Sequence, residues 1–400
     1  MKFVIESAGL TVAGGKELAI DLMIRLAGHT EHAFTFIVPD LGPYRAFSGA
    51  NIRKIVCKRS SDLVQRAFFL NYEVPRICRE TKADALLCLS NFAASRCQCP
   101  TLVLLQNAWL VYEDPGIAVR RTLRERLITA YGRHSYRHLP RDITIVTQTR
   151  VMKSRLCARY GIDPRRVVII PNACSFDNPA PSASLAGPEQ PENSRPYRFL
   201  CLARYYPHKN IEILQQAAER LPAYTSKSAE CIITIAPQQH PAARKLLAKV
   251  AASARNGRVK NIGPVESEEL PEVYRAADAL IHPALLESCS RTYLEAMHFG
   301  LPILTSDRDF ARESCRDAAV YFDPLDADSV AKTMAGIMED QALRERLVQN
   351  GLRVLAHIPT WDDIAGRFVA VLEDAARGLP PTPVPDEVTS WAGVIPGGGK

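Results

Sequence analysis

The chain has 400 residues, 47% of them hydrophobic and 23% charged, so it is globular rather than disordered and long enough for two domains or more. Its net charge of +7 favours anionic ligands such as nucleotide diphosphates, or an anionic membrane surface. The basic residues are spread out and no recognised nucleic-acid motif accompanies them, which argues against nucleic acid. No run of about 18–20 apolar residues occurs, and Met1-Lys-Phe-Val-Ile5 is too short and too soon broken for a signal peptide. The expected location is cytoplasmic. The eleven cysteines are scattered. Cys97-x-Cys99 is the closest pair, without a Cys-x-x-Cys or a second ligand pair, so the thiols read as reduced and mostly buried, and no metal site is expected.

In chain order, Lys2 to Ile5 reads as a strand and Glu6 to Gly15 as a loop. Lys16 to Ala27 reads as a helix, with Leu18, Leu22 and Leu26 spaced by four. Strands follow at Phe34 to Val38 and Ile52 to Val56, then a helical pattern from Leu63 to Thr81 despite Pro75. Further strands read at Ala85 to Leu89, Thr101 to Leu105, Ile143 to Thr147 and Val167 to Ile170. Composition then shifts: residues 177 to 196 are proline-rich and poor in large apolar side chains. A second alternation begins near Arg198 to Leu202 and continues at Cys231 to Ala236, Val259 to Ile262, Ala279 to His282, Ile303 to Thr305 and Ala319 to Phe322. Trp361 to Ala376 reads as a last amphipathic helix. Two blocks of strand–helix alternation predict an α/β protein with two Rossmann-like parallel-sheet domains, whose functional loops follow the strands. The expected divisions are 1–176, a linker 177–197, 198–355, a helix in 356–377 that crosses back, and a disordered tail 378–400.

The strongest chemical signal is a pair of acids eight positions apart, Glu287 and Glu295, in Glu287-Ser-Cys-Ser-Arg-Thr-Tyr-Leu-Glu295-Ala-Met-His-Phe-Gly300-Leu-Pro302. The first acid falls in a loop after a strand, and the second inside the next helix. The backbone N–H groups near Ser290, Arg291 and Thr292 lie at that helix start, which suits phosphate. Acids beside it suit sugar hydroxyls, and the small Ser288, Cys289 and Ser290 would let a ligand approach the backbone. Two solvated acids near a helix start are the alternative.

A second signal is Ala203-Arg204-Tyr-Tyr-Pro-His-Lys209-Asn210, after the first strand of the second block. Arg204 and Lys209 there could neutralise a departing diphosphate, with Asn210 as the N-cap of the following helix. An ordinary basic loop is the alternative. Gly9-Leu-Thr-Val-Ala-Gly14-Gly15-Lys16 is neither a P-loop nor Gly-x-Gly-x-x-Gly, but Gly14 and Gly15 allow close backbone approach to a ligand. Gln106-Asn107 and Gln148-Thr149 follow strands and could face a ligand or form polar turns. The segment from Arg120 to His138 interleaves arginines with leucines and reads as a solvated basic face or as a membrane-surface contact. Asp307-Arg-Asp309 reads as a polar loop, not a metal motif.

Together these segments resemble the retaining GT-B glycosyltransferases of family 4 (glycosyl transferases group 1), from Met1 to about Ala376. The most specific likeness is Glu287 to Glu295 followed by Ala-Met-x-x-Gly-x-Pro, with Arg204 and Lys209, Gly14-Gly15, Val146-Thr-Gln-Thr149 and Ile170-Pro-Asn172 in support. The resemblance implies two Rossmann-like domains facing each other across a cleft. It also implies transfer of a sugar from a nucleotide-diphospho-sugar to a hydroxyl acceptor (EC 2.4, hexosyltransferase type), with retention and without a metal or other cofactor. Glu295 would bind the ribose and Glu287 the donor sugar. Ser288, Cys289, Ser290, Arg291 and Thr292 would hold sugar hydroxyls and phosphate. Arg204 and Lys209 would stabilise the leaving diphosphate. Gly14 and Gly15 would lie near the reaction centre, with Gln106 and Asn107 on the acceptor side. The implied partners are the nucleotide-sugar and a glycan or lipid-linked acceptor in surface-polysaccharide or glycolipid synthesis, with peripheral membrane association. Members often carry Gly-Phe-Gly where this chain has Ser288-Cys289-Ser290, and a His where it has Gln106-Asn107. A sugar-nucleotide epimerase, a phosphorylase and an inactive sugar-nucleotide-binding protein are the competing readings.

Overall fold

The computed structural model describes residues 1–57, 63–113, 121–176, 195–252 and 258–382. These residues form two compact units, one from 1–113, 121–173 and 359–382, the other from 174–358. Most of the expected linker and tail, and Arg120, lie outside the described residues.

The first unit is built on seven strands: β1 Lys2–Glu6, β2 Ala33–Pro39, β3 Ile52–Cys57, β4 Ala85–Cys88, β5 Thr101–Leu104, β6 Thr144–Thr147 and β7 Val167–Ile169. All pair in parallel, in the order β3-β2-β1-β4-β5-β6-β7. The second unit has a six-stranded parallel sheet of β8 Tyr197–Cys201, β9 Ala229–Ile233, β10 Val259–Asn261, β11 Ala279–His282, β12 Ile303–Ser306 and β13 Ala319–Phe322. Its order is β10-β9-β8-β11-β12-β13. The central strands β4, β5, β11 and β12 are buried along their whole length. That is why they read as continuous apolar runs: helices cover both faces of a parallel sheet.

In the first unit Leu18, Leu22 and Leu26 of the Ala13–Leu26 helix pack with Phe3, Phe34 and Phe36. The last helix, Trp361–Ala376, adds Trp361, Ile364 and Phe368 to this same core. Thr360 starts it with a capping box to Asp363. In the second unit Phe199, Ile213, Leu214, Ile233, Ile281 and Met334 share one core.

Two local expectations are corrected, and one is explained. Gly14 and Gly15 are not in a loop: they lie in the first turn of the Ala13–Leu26 helix, which starts after the extended Val12. The 63–81 run stays helical past Pro75 because it contains a π-turn, Phe69–Glu73, where Val74 N–H donates to Phe69 C=O. The extra residue relieves the register in which the proline ring would meet the preceding turn. Asn210 is not the N-cap of the following helix, whose N-cap is Ile211: it is left-handed, with φ of 54°, closes the short Pro207–Lys209 turn, and its side-chain amide donates to Pro324 C=O at 2.7 Å.

Phe368 is 1% exposed in the first core. Phe368→Ala is therefore expected to cost about 3–5 kcal/mol, seen as a lower midpoint for the first unit in chemical denaturation followed by circular dichroism.

Candidate functional site

In an open parallel sheet, the loops at the carboxyl ends diverge where the strand order reverses. In the second unit that reversal falls between β8 and β11, which are neighbours. The loop after β8 carries Arg204 and Lys209, and the loop after β11 carries Glu287. The backbone joins the two loops: Leu285 N–H donates to His208 C=O at 2.8 Å. The first loop is held on both sides of Arg204, as Ala203 N–H donates to Thr234 Oγ1 at 3.0 Å and Tyr205 N–H to Gln239 Oε1 at 2.8 Å.

The Lys209 ammonium forms an ion pair with Glu287 Oε1, and His282 Nε2 lies 3.2 Å from the same oxygen. Burial alone would push the Glu287 carboxyl up, but Lys209 and the His282 bond outweigh it and hold the group well below the usual carboxylate range. Burial also lowers the His282 pKa. With Glu287 ionised and the imidazole neutral, His282 Nε2 carries the proton that it donates. Its Nδ1 is then a buried acceptor with no partner among the described residues. Arg204 is half-buried and makes no ion pair among the described residues, so it is the uncompensated cation of the pair.

Glu295 has different surroundings. It sits in the Arg291–His298 helix, buried, and accepts from Ser175 Oγ at 2.5 Å on one oxygen and from Tyr274 OH at 2.6 Å on the other. Ser290 is the N-cap of that helix, but its hydroxyl makes no capping bond. Ser288, Cys289 and Ser290 lead into the helix start, with Arg291 and Thr292 in its first turn. Gly300, at φ of 66°, ends the helix. Asp307 is paired with Arg312 at 2.5 Å, consistent with a polar loop.

In the first unit, an ideal Cβ on Gly15 would stand 3.7 Å from Gln106 Oε1, and one on Gly14 would meet nothing. The helix start carrying both glycines is therefore beside Gln106. The backbone N–H groups of Gln106 and Asn107 donate to Asn91 Oδ1, at 2.6 and 2.7 Å. The Asn107 side chain caps the short turn Ala108–Leu110, accepting from Trp109 N–H. Gln148 is used internally, donating to Asn172 at 2.5 Å, and Thr149 caps the Arg150–Tyr160 helix.

Sequence reasoning missed two residues. His282 is placed by the sequence only as the last residue of a strand, although a His at a strand's carboxyl end five positions before Glu287 is a usable signal. Glu6 ends β1 where the first sheet reverses, buried, with Ser90 donating to it and Arg66 nearby. Burial raises its pKa. Gly9 is required beside it: a Cβ there would come within 2.5 Å of the Arg66 guanidinium. Nothing in the linear pattern marks Glu6.

The sheet orders and the site can be set beside known proteins. The chain superimposes on sucrose-phosphate synthase from Thermosynechococcus elongatus with a TM-score of 0.73, 16% identity, and 94% and 100% of the two chains covered. It superimposes on Anabaena Alr3699/HepE in complex with UDP-glucose with a TM-score of 0.69, 15% identity, and 94% and 100% covered. The chain has the GT-B fold. Residues 187–354 match the family described as glycosyl transferases group 1, and the loops after β8 and β11 both lie within that matched stretch. Over 210 residues it is 27% identical to the O-antigen chain mannosyltransferase B of Escherichia coli, covering 52% of this chain and 55% of that protein. The chain thus spans about half the length of that relative.

Removing Lys209 leaves a largely buried carboxylate without its cation, and breaking a buried pair in this way typically costs up to about 3–5 kcal/mol. Lys209→Met is expected to lose that much at neutral pH. The sign of the pH dependence should also reverse. In the wild type, the folded pKa of Glu287 is depressed, so its contribution is present above the ordinary value of about 4.3 and is lost as pH falls through the depressed one. In the variant, burial raises the folded pKa, so acidification towards about 4 should stabilise the protein. Thermal melts across pH check this.

Proposed function

We propose that this protein is a glycosyltransferase that moves a sugar from a nucleotide-diphospho-sugar to a hydroxyl acceptor, with retention at the anomeric carbon. The observation that carries this reading is Arg204, a cation with no carboxylate partner among the described residues, on the same loop as Lys209 of the Lys209–Glu287–His282 cluster at the sheet's reversal. The match to glycosyl transferases group 1 and the likeness to a UDP-glucose complex support it. Arg204 takes charge on the diphosphate. Glu287, kept ionised by Lys209, faces the donor sugar, and Glu295 takes the ribose. The start of the Arg291–His298 helix adds backbone donors.

In this scheme the bond from the anomeric carbon to the phosphate oxygen breaks. A bond to the acceptor oxygen forms on the same face, and the acceptor's proton passes to the leaving phosphate. The work of the protein is to stabilise negative charge on the leaving group, so Arg204, on the loop that Lys209 anchors to Glu287, stands where a metal would otherwise act. Activity is expected to persist in excess chelator. The first unit, with Gln106 beside the Gly14-Gly15 helix start, binds the acceptor.

The Leu123–Arg137 helix gives a view of that acceptor. Leu123 is 73% and Leu127 54% exposed, next to the exposed Arg124 and Arg126. No described helix is long and apolar enough to cross a membrane. A basic surface helix with bare leucines suits an anionic bilayer and a lipid-linked acceptor in surface-glycan synthesis. Flotation with phosphatidylglycerol vesicles should recover the wild type, and Leu123→Ser with Leu127→Ser should abolish recovery. Equal recovery would remove this part of the reading.

Arg204→Ala is expected to lower turnover about 10²–10³-fold, followed as nucleoside diphosphate release with a panel of donors, while leaving the melting temperature of the free protein unchanged. Near wild-type turnover would sink the assignment of Arg204. The anomeric configuration of the product, read by proton NMR, decides between retention and inversion.

A further inference from the structure

The eleven cysteines are free thiols, five buried and six partly exposed, rather than mostly buried. Three of them come together in the first unit, although they are apart in the chain. Cys78 lies on the Val74–Thr81 helix, while Cys97 and Cys99 lie in the connection between β4 and β5. Their sulfurs all lie within 4.8 Å of one another, and those of Cys97 and Cys99 are 3.4 Å apart. A thiolate–metal bond of about 2.3 Å requires sulfurs about 3.8 Å apart around a tetrahedral ion and about 4.0 Å apart around a trigonal one. With one pair at 3.4 Å and all three within 4.8 Å, side-chain adjustment alone would bring the sulfurs to those spacings.

We propose that Cys78, Cys97 and Cys99 form a three-thiolate site for one thiophilic closed-shell metal ion, Zn²⁺ or Cu⁺. Soft sulfur ligands select these ions over the hard cations. Cys78 is buried, whereas Cys97 and Cys99 are partly exposed, so the solvent side of the cluster is the side from which an ion would enter. The backbone supports the cup: Cys97 N–H donates to Ala94 C=O at 3.0 Å, and Thr101 Oγ1 donates to Cys99 C=O at 3.2 Å. Binding displaces thiol protons, so affinity rises with pH.

The site lies in one connection with Asn91, whose side chain accepts from the N–H groups of Gln106 and Asn107. A bound ion would pin that connection to the Val74–Thr81 helix and so stiffen the segment after β5. This inference does not depend on the glycosyltransferase reading.

The test uses the full chain, fully reduced, with Zn²⁺ and Cu⁺ titrated separately against a chromogenic chelator of known affinity, and native mass spectrometry to count ions. The expected result is one ion per chain and a raised melting temperature. Cys97→Ser and Cys99→Ser, both at partly exposed positions, should each weaken binding by more than about a hundredfold, and Cys57→Ser should not. Cys78 is buried, so Cys78→Ser is read only if its circular dichroism matches the wild type. The arm that binds tighter names the ion. No bound ion with either metal overturns the proposal, as does binding that survives the Cys97 and Cys99 substitutions. A disulfide among the three on air exposure, with no metal bound in the reduced chain, also overturns it in favour of a redox pair.

Discussion

The largely buried carboxylate of Glu287 is the constraint on which the second unit's site depends. A single ionised oxygen meets the Lys209 ammonium and the His282 imidazole, and these three residues come from two loops and the end of a strand. An ion removed from water costs several kcal/mol unless its partners are close and well directed, so neither loop can drift without exposing an unmatched charge. Leu285 and His208 repeat the tie through the backbone. The loop after β8 is thereby set relative to the start of the Arg291–His298 helix, and Arg204 is carried between two anchored residues rather than on a free strand of chain.

The same pairing divides labour between two cations that look equivalent in the sequence. Lys209 is committed to Glu287, so the pair is close to neutral in sum, and the charge available to an incoming anion comes from Arg204. The two glutamates divide in the same way. Glu287 is kept ionised by a cation, whereas Glu295 is oriented by two hydroxyls, an arrangement that leaves lone pairs for further donors such as vicinal sugar hydroxyls.

The first unit follows another logic. Its sheet reversal places the buried Glu6 and Ser90 together. Asn91, left-handed at φ of 69°, turns its side chain to the N–H groups that follow β5. The connection from β4 to β5 is therefore an organising element and not a spacer. The Trp361–Ala376 helix reaches this unit from the far end of the chain because its apolar face, led by Trp361, Ile364 and Phe368, completes a core that would otherwise be open.

The strands and their parallel pairing were legible in the sequence, because buried parallel strands are continuous apolar runs, and the candidate loops were placed by the rule that ligand loops follow strand carboxyl ends. The Glu287-to-Glu295 segment was legible because its spacing is local, within one loop and one helix. Helix starts were less so: Gly14 and Gly15 have low helix propensity, yet tertiary packing of Leu18, Leu22 and Leu26 carries the helix back through them. Partnerships across the chain were beyond local pattern. Lys209 with Glu287, Glu295 with Ser175 and Tyr274, Glu6 with Ser90, and Cys78 with Cys97 and Cys99 are all set by which strand ends and helices the fold makes neighbours. Residue type determined what each of these groups can do; only the tertiary structure, by removing water and choosing the partner, decided what each of them does.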